Sequence, residues 1–136
     1  MKSLSQKINL PLEIDDGYDL ITYFRQVVGH EAQRCQYCFR LRLSKTAEIA
    51  RQKGFSAFTS TLLISPHQKH DLLLEVGNEL AREKGLDFLY ADLRKKYSDS
   101  RRMTKGLSLY RQQYCGCVYS EWERYGEITI DETFCK

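Results

Sequence analysis

The chain has 136 residues, of which 42% are hydrophobic and 29% charged, and its formal net charge is +3. These values are typical of one soluble globular domain with a hydrophobic core of its own. No apolar run approaches the roughly 20 residues of a membrane span, and residues 1–10 lack the apolar region of a signal peptide. We therefore expect a cytoplasmic protein, in which close cysteine pairs indicate metal or redox chemistry.

The chain is predicted to begin with residues 8–14 in a short strand or extended segment that ends at Asp15-Asp16-Gly17. A helix is predicted over about residues 19–28, because apolar side chains recur there at helical spacing. The residues that make this pattern are Leu20, Tyr23, Phe24 and Val27. Gly29 suits the C-terminal cap of that helix.

Cys35 and Cys38 lie near the predicted start of the next helix, which runs to about residue 53. Residues three apart share a helix face, so both thiols can point toward one metal centre. The helix N-terminus favours thiolate, the form that binds metal or attacks a disulfide, and nearby arginines act the same way. Those arginines are Arg34, Arg40 and Arg42. The alternative is a pair of small buried hydrophobic residues, which a second close pair in the same chain makes less favoured.

Residues 55–64 are rich in β-branched, aromatic and aliphatic side chains, which predicts a buried central strand. The run from residue 65 to residue 68 then predicts a helix start, with Ser65 as N-cap and Gln68 completing a capping box. This helix is predicted to end near Gly85. Its N-terminus follows a strand end, so it is interpreted either as an anion site or as an ordinary capped surface helix. The candidate anion-site side chains are His67, Lys69 and His70.

Residues 86–91 read as another strand, and Asp92 at its end is a candidate functional group. The composition then becomes strongly basic, with aromatic residues between the basic ones. Arginine and lysine contact phosphates and aromatic rings stack on unpaired bases, so we predict a nucleic-acid surface. Its basic residues are Arg94, Lys95, Lys96, Arg101, Arg102, Lys105 and Arg111, with Tyr97, Tyr110 and Tyr114 as the aromatic ones.

The basic stretch leads into a second cysteine pair, Cys115-Gly116-Cys117. Gly116 permits a tight or left-handed turn, so both sulfurs can converge on one ion or form a strained, easily reduced disulfide. The sequence leaves open whether the pair is a ligand pair or a redox couple. The segment from residue 120 onward is acidic and is predicted to be peripheral, and Cys135 is predicted to be incidental.

Several stretches together resemble the iron–sulfur epoxyqueuosine reductases of the QueH type. The resemblance rests on both cysteine pairs and the residues around them, and it extends over nearly the whole chain. The matching stretches are Asn9-Leu10-Pro11-Leu12, Arg34-Cys35-x-x-Cys38-x-x-x-Arg42-Leu43, Lys45-Thr46-Ala47, Gly54-Phe55, residues 58–67, Asp92-Leu93-Arg94, and Tyr110-Arg111-Gln112-x-Tyr114-Cys115-Gly116-Cys117-x-Tyr119-Ser120.

The resemblance implies a Rossmann-like α/β fold of the nucleotide-hydrolase (HUP) type, with a parallel sheet flanked by helices. It implies a [4Fe-4S] cluster with Cys35 and Cys38 as ligands, and a reaction that removes the epoxide oxygen of epoxyqueuosine at the tRNA wobble position. Cys115 and Cys117 would be the redox-active pair or would hold an additional iron. Asp92 and His67 are further candidates. The implied partners are tRNA and an electron donor.

Members of that family begin with a strand that carries an adjacent Cys-Cys pair, which supplies the other two cluster ligands. This sequence starts after that point. The expectation is therefore a single domain over residues 1–136 that corresponds to the C-terminal portion of the family fold and lacks its first strand. The chain is therefore expected to be either a truncated gene product or one half of a split enzyme whose other half, a separately encoded N-terminal segment, supplies the missing strand. Alone, the chain is expected to be inactive.

Two alternative functions stay open at the level of sequence. The first is a structural four-cysteine zinc module that binds RNA without catalysis. The second is a thiol–disulfide oxidoreductase that uses Cys115 and Cys117.

Overall fold

A computed structural model describes residues 2–17 and 19–126. Over these residues the protein is a mixed α/β structure that is mostly helical. The predicted incidental Cys135, and the acidic residues from Glu127 onward, lie outside the described residues. None of the described helices combines the length and the hydropathy that crossing a bilayer requires.

The regular elements follow the chain in a simple order. They are α1 (Lys2–Ile8), α2 (Leu20–Val27), α3 (Arg34–Gln52), β1 (Ala57–Phe58), α4 (His70–Lys84), β2 (Asp87–Phe88), α5 (Tyr97–Gly106) and α6 (Val118–Tyr125), with short 3₁₀ turns at Glu31–Gln33, Thr61–Ile64 and Arg94–Lys96.

The core forms where α3 packs on α4, with the two strands beneath them. The apolar positions of α3 recur every three or four residues, so one stripe of the helix faces inward. The buried core residues are Phe39, Leu43, Ala47, Ala50, Phe58, Leu63, Leu73, Val76, Leu80, Ala81 and Phe88. The bounds predicted for α2 and α3 are confirmed to within one or two residues.

The sheet consists of β1 and β2, which pair in parallel with Phe58 opposite Phe88. The connection between them runs through α4, as parallel strands require a long crossover. Gly77 of α4 lies directly over Phe88, and a Cβ added there would come within 2.3 Å of the Phe88 ring. The missing side chain therefore lets the helix approach the sheet closely. A wider Rossmann-like sheet is not present among the described residues.

The long strand predicted over residues 55–64 is wrong beyond Phe58. The chain turns at Ser60, whose Oγ accepts a hydrogen bond from the Leu62 N–H at 3.2 Å, and a 3₁₀ turn follows. Leu63 is fully buried all the same. This run is hydrophobic because it is buried, not because it forms a strand. The hydrogen bond to the Ser60 side chain outweighs the β-propensity of these residues. The strand predicted over residues 86–91 is likewise only Asp87–Phe88.

The start predicted for α4 at Ser65 is also wrong, since the helix begins at His70. Ser65 Oγ accepts from the His67 N–H at 3.3 Å, while the Ser65 carbonyl lies 3.0 Å from Nε2 of His70. The capping residues thus form a turn ahead of the helix. The predicted end is confirmed: Gly85 caps α4 in the left-handed conformation, with φ at 68°.

The N-terminal segment differs from the predicted strand. Helix α1 covers Lys2–Ile8, and residues 10–17 have no regular structure. Ion pairs tie this segment to α3, one between Asp15 and Lys45 at 3.1 Å and one between Glu13 and Lys53. These contacts hold residues 13–15 against the side of α3.

Candidate redox and metal site

Cys35 and Cys38 lie in the first turns of α3, and both side chains are half-buried. Cys35 also packs against the hydrophobic core. The predicted placement of the pair at a helix start is confirmed. Because the helix bearing them is part of the core, the pair is fixed by the main fold of the protein.

The arginines do not lower the pKa of these thiols overall, contrary to expectation. Burial raises the pKa of Cys35, against the opposing effects of Lys69 and Arg34. Burial likewise raises the pKa of Cys38, against the opposing effect of Arg42. Loss of hydration disfavours the charged form more than the nearby cations favour it. Without a metal, both groups are therefore held as thiols.

The second pair lies in a loop that precedes α6. Gly116 has φ at 93°, which is the left-handed conformation that its position between two cysteines was predicted to allow. The Cys115 N–H donates to Ser120 Oγ at 3.1 Å, and the Cys115 Sγ lies 2.9 Å from the same oxygen. The Ser120 hydroxyl in turn donates to the Cys117 carbonyl at 3.1 Å. Ser120 thus braces the turn at both cysteines.

The thiol of Cys117 has a different environment from the other described cysteines. Hydrogen bonding with the neighbouring Cys115 thiol is the largest cause that lowers the pKa of Cys117, to about 5, and the Tyr23 hydroxyl at 3.2 Å adds to it. The pKa of Cys115 is raised by the same contact with Cys117 and by burial. The loop pair therefore combines a thiolate at Cys117 with a thiol at Cys115. That is the arrangement a thiol redox couple needs.

A cavity of about 740 Å³ connects the two pairs, because Cys38 and Cys117 both line it. Tyr23 stands between them, only 8% exposed. Alternate residues of the segment before α2, namely Glu13, Asp15, Gly17 and Asp19, and one side of α3 form much of the remaining wall. The sequence analysis treated Tyr23 only as part of a helical stripe, and nothing in the local pattern separates it from its core neighbours.

Arg34 fastens α6 to the start of α3. Its guanidinium donates to the Glu123 carboxylate at 2.5 Å and lies 5.7 Å from the centre of the Tyr119 ring. The side chains of Arg34 and Glu123 are only 15% and 23% exposed. The segment after residue 120, predicted to be peripheral, therefore includes a residue that holds the second cysteine pair over the first. We call this set of contacts between Arg34, Glu123 and Tyr119 the clasp.

The thiols can be compared with what a metal centre requires. Thiolates are the usual ligands of iron–sulfur clusters, and Cys35 and Cys38 fit two of the four positions of such a ligand set. Within residues 2–17 and 19–126, no three histidine, cysteine, aspartate or glutamate side chains stand close enough together to hold one metal ion. The described residues therefore fit half of a four-thiolate set.

The basic segment forms the 3₁₀ turn Arg94–Lys96 and then α5. Asp92 forms a two-bonded ion pair with Arg94, at 2.8 and 2.5 Å, and these bonds hold the pKa of Asp92 well below its usual range. Asp99 lies 2.8 Å from Arg102 and 3.7 Å from Lys96. Part of the predicted basic charge is thus balanced locally.

Several basic residues, Arg102 among them, line a second cavity beside α5. A cavity of about 470 Å³ is lined by Arg101, Arg102, Lys105 and Arg111 together with Thr104 and Leu109. Arg111 also donates to the Tyr97 hydroxyl at 2.6 Å and stacks over the Tyr97 ring. His67 approaches the same ring edge-on, with ring centres 6.0 Å apart. Four cationic side chains around one cavity make a site suited to phosphate groups.

Two residues of the predicted anion site, Lys69 and His70, lie in different environments. Lys69 is exposed, and its charge acts on Cys35. His70 is 6% exposed and bonded on both ring nitrogens, to the Ser65 carbonyl and to the Tyr90 hydroxyl at 3.3 Å. His70 is therefore committed to holding the turn before α4.

The family model for epoxyqueuosine reductase QueH matches residues 1–123, which include both cysteine pairs, Tyr23 and Glu123. The chain belongs to the epoxyqueuosine reductase QueH family. The family takes its name from a reductase, so the chain is a member of an oxidoreductase family. Of the functions predicted from the sequence, this finding supports the reductase, and nothing favours the zinc module or the general thiol–disulfide oxidoreductase.

Relatives that bear the name epoxyqueuosine reductase QueH include the following three. The protein of Dehalococcoides mccartyi is 50% identical over 127 residues, which cover 93% of this chain and 70% of the relative. That of Thermotoga maritima is 34% identical over 114 residues, covering 82% and 59%. That of Streptococcus pyogenes serotype M1 is 40% identical over 105 residues, covering 72% and 41%. The chain thus spans between two fifths and seven tenths of the length of these QueH proteins.

Proposed function

We propose that this chain carries part of the site that reduces epoxyqueuosine to queuosine in tRNA. The observation that carries the proposal is the family match over both cysteine pairs, together with the shared cavity lined by Cys38 and Cys117. The wider Rossmann-like sheet implied by the resemblance belongs to the same proposal. Its support is the parallel β1–β2 pair and its helical crossover. Since tRNA is the proposed substrate, the proposed location is the cytoplasm.

In this proposal Cys35 and Cys38 are ligands of a [4Fe-4S] cluster, which supplies electrons one at a time when it is bound. Metal binding requires deprotonated thiols, so loading the cluster must overcome the raised pKa of both groups. A cluster held by cysteines normally takes four of them. We propose that the two remaining ligands come from a separately encoded segment, because no three candidate ligand side chains stand close together within residues 2–17 and 19–126.

The loop pair is proposed as the redox couple, with an additional iron as the alternative role. Conversion of an epoxide to an alkene breaks both C–O bonds, takes two electrons and two protons, and releases water. When Cys115 and Cys117 form a disulfide, they release two electrons and two protons, so the two half-reactions balance. The disulfide must then be reduced again, which requires the electron donor that we propose as a partner.

The basic surface is proposed to bind the tRNA. Support comes from the cationic cavity beside α5 and from Tyr97, whose ring already stacks with Arg111. The proposed phosphate-binding residues are Arg94, Lys95, Lys96, Arg101, Arg102 and Arg111. Two further residues have positioning roles in this surface: Asp92 through its ion pair with Arg94, and His67 through its contact with Tyr97.

The test is anaerobic reconstitution with iron and sulfide, followed by nucleoside analysis of tRNA that contains epoxyqueuosine. We expect conversion to queuosine by the wild type when an N-terminal segment of the Dehalococcoides relative is supplied in trans. Cys38→Ser should lose both iron and conversion, Cys117→Ser should keep iron and lose conversion, and Cys135→Ser should change neither. Full iron content in Cys38→Ser would rule out α3 as a cluster-binding helix.

A further inference from the structure

The cavity beside Cys38 and Cys117 has two charged side chains without an ion-pair partner among the described residues. Asp19 and Arg42 both line it. The other acids of residues 13–19 on the same wall are paired, Asp15 with Lys45 and Glu13 with Lys53. One negative and one positive charge are therefore left to face the cavity.

The size of this cavity suits a nucleotide. Its volume of about 740 Å³ lies within the range of roughly 300–1,000 Å³ for sites that enclose drug-sized ligands. Arg42 also reaches the loop of the second pair, with its Nη2 only 3.9 Å from where a Cβ on Gly116 would stand. The positive charge thus lies at the thiol end of the cavity, and Asp19 stands at the first turn of α2.

Epoxyqueuosine carries charges that complement these two residues, provided that the proposed function holds. Its 7-deazaguanine base is joined through a secondary amine to the epoxide-bearing ring, and the amine is protonated at neutral pH. The nucleotide also carries phosphates on its ribose. A base held inside a duplex or loop reaches an enclosed site only when it is turned out of the stack.

We propose that this cavity receives the extruded epoxyqueuosine base, with Asp19 binding the secondary ammonium and Arg42 binding an adjacent phosphate. The epoxide ring then lies among Tyr23, Cys38 and Cys117. Asp19 distinguishes the modified base from guanosine, which has no ammonium group. Arg42 contributes affinity that does not depend on the modification. This inference rests on the proposed function and adds to it the residues that bind and distinguish the substrate.

The test compares the binding of two anticodon stem-loops, one with epoxyqueuosine and one with guanosine at the wobble position, in the absence of a reductant. The full chain is used. We expect Asp19→Asn to reduce the preference for the modified RNA by about fivefold, the upper value for an exposed ion pair. Asn replaces Asp well at a helix N-cap, and the Asp19 side chain makes no cap hydrogen bond, so the variant keeps its fold.

Asp16→Asn is the matched control, because Asp16 is in the same segment but does not line the cavity. It should keep the wild-type preference. An unchanged preference in Asp19→Asn, or an equal loss for both RNAs, would overturn the assignment of Asp19 and leave the reductase proposal standing. No preference in the wild type would also overturn it, and the conversion assay then decides whether the proposed function fails as well.

The proposed phosphate contact of Arg42 is tested by the salt dependence of RNA binding. Arg42→Gln should weaken both RNAs equally and lower the slope of log affinity against log salt by about 0.7–0.9, as expected for one lost phosphate contact. Arg42→Lys should retain the slope, and so should Arg51→Gln, an exposed position on the same helix outside the cavity. A wild-type slope in Arg42→Gln would refute the phosphate contact.

Discussion

The two cysteine pairs are held in opposite ways. Cys35 and Cys38 sit on a core helix, half-buried, where burial raises the pKa of both thiols. Cys115 and Cys117 sit on a loop fixed by Ser120, Tyr23 and the clasp, where hydrogen bonds lower the pKa of Cys117. Packing therefore positions the first pair and keeps it protonated, while polar contacts position the second pair and lower the pKa of one of its thiols.

The largest expected effect tests the packed core that positions the first cysteine pair. Gly77→Ala places a Cβ 2.3 Å from the Phe88 ring. Overpacking of this kind costs about 1–3 kcal/mol, which outweighs the gain of up to about 1 kcal/mol from replacing a helical glycine. We expect a lower midpoint in urea denaturation.

Gly106→Ala is the matched control for that prediction. Gly106 ends α5, and a Cβ there meets nothing within 4 Å. The same substitution should raise the urea midpoint slightly or leave it unchanged. If Gly77→Ala were as stable as Gly106→Ala, the close packing of α4 on β2 would be disproved.

The second prediction concerns the basic surface of the segment that leads into the second cysteine pair. Replacing Arg101 and Arg102 together with Gln should weaken tRNA binding and lower the log–log salt slope by up to about 1.8, because two phosphate contacts are lost. The double variant Arg51→Gln with Arg82→Gln removes the same charge outside the basic segment and should keep the slope. An equal fall in both double variants would mean that net charge, and not this surface, attracts the tRNA.

The smallest effect tests why Cys117 differs from the other thiols. With a pKa of about 5, Cys117 is a thiolate at pH 6 and should react with iodoacetamide there, while Cys35 and Cys38 should not. Tyr23→Phe removes a donor to the thiolate, so the pKa should rise by about one unit and the reaction at pH 6 should slow. Site-resolved mass spectrometry of the metal-free protein measures both.

Tyr119→Phe is the control for that measurement. Its ring lies 6.5 Å from that of Tyr23 in the same aromatic group, and its hydroxyl makes no hydrogen bond to Cys117 among the described contacts. It should leave the titration of Cys117 in place. A shift as large as that of Tyr23→Phe would point to packing as the cause.

The sequence predicted α2 and α3 because their apolar positions recur at a strict helical spacing. It did not predict that the strands are short. The run after Phe58 is hydrophobic because it is buried, and the hydrogen bond that the Ser60 side chain accepts from the Leu62 N–H turns the chain away from the sheet. The sequence also did not predict the contacts around Cys117, for another reason. Tyr23 and Glu123 reach the site from 94 and 89 positions away from their partners, and no local pattern encodes such contacts.

The clasp has a consequence for the order in which the protein assembles. Arg34 and Glu123 are 89 positions apart, so their contact closes a long loop and comes after the more local packing of α3 on α4. During synthesis, the ribosome releases Arg34 and the first cysteine pair well before Glu123. The helix that carries Cys35 and Cys38 therefore packs into the core before the clasp brings the second cysteine pair to it.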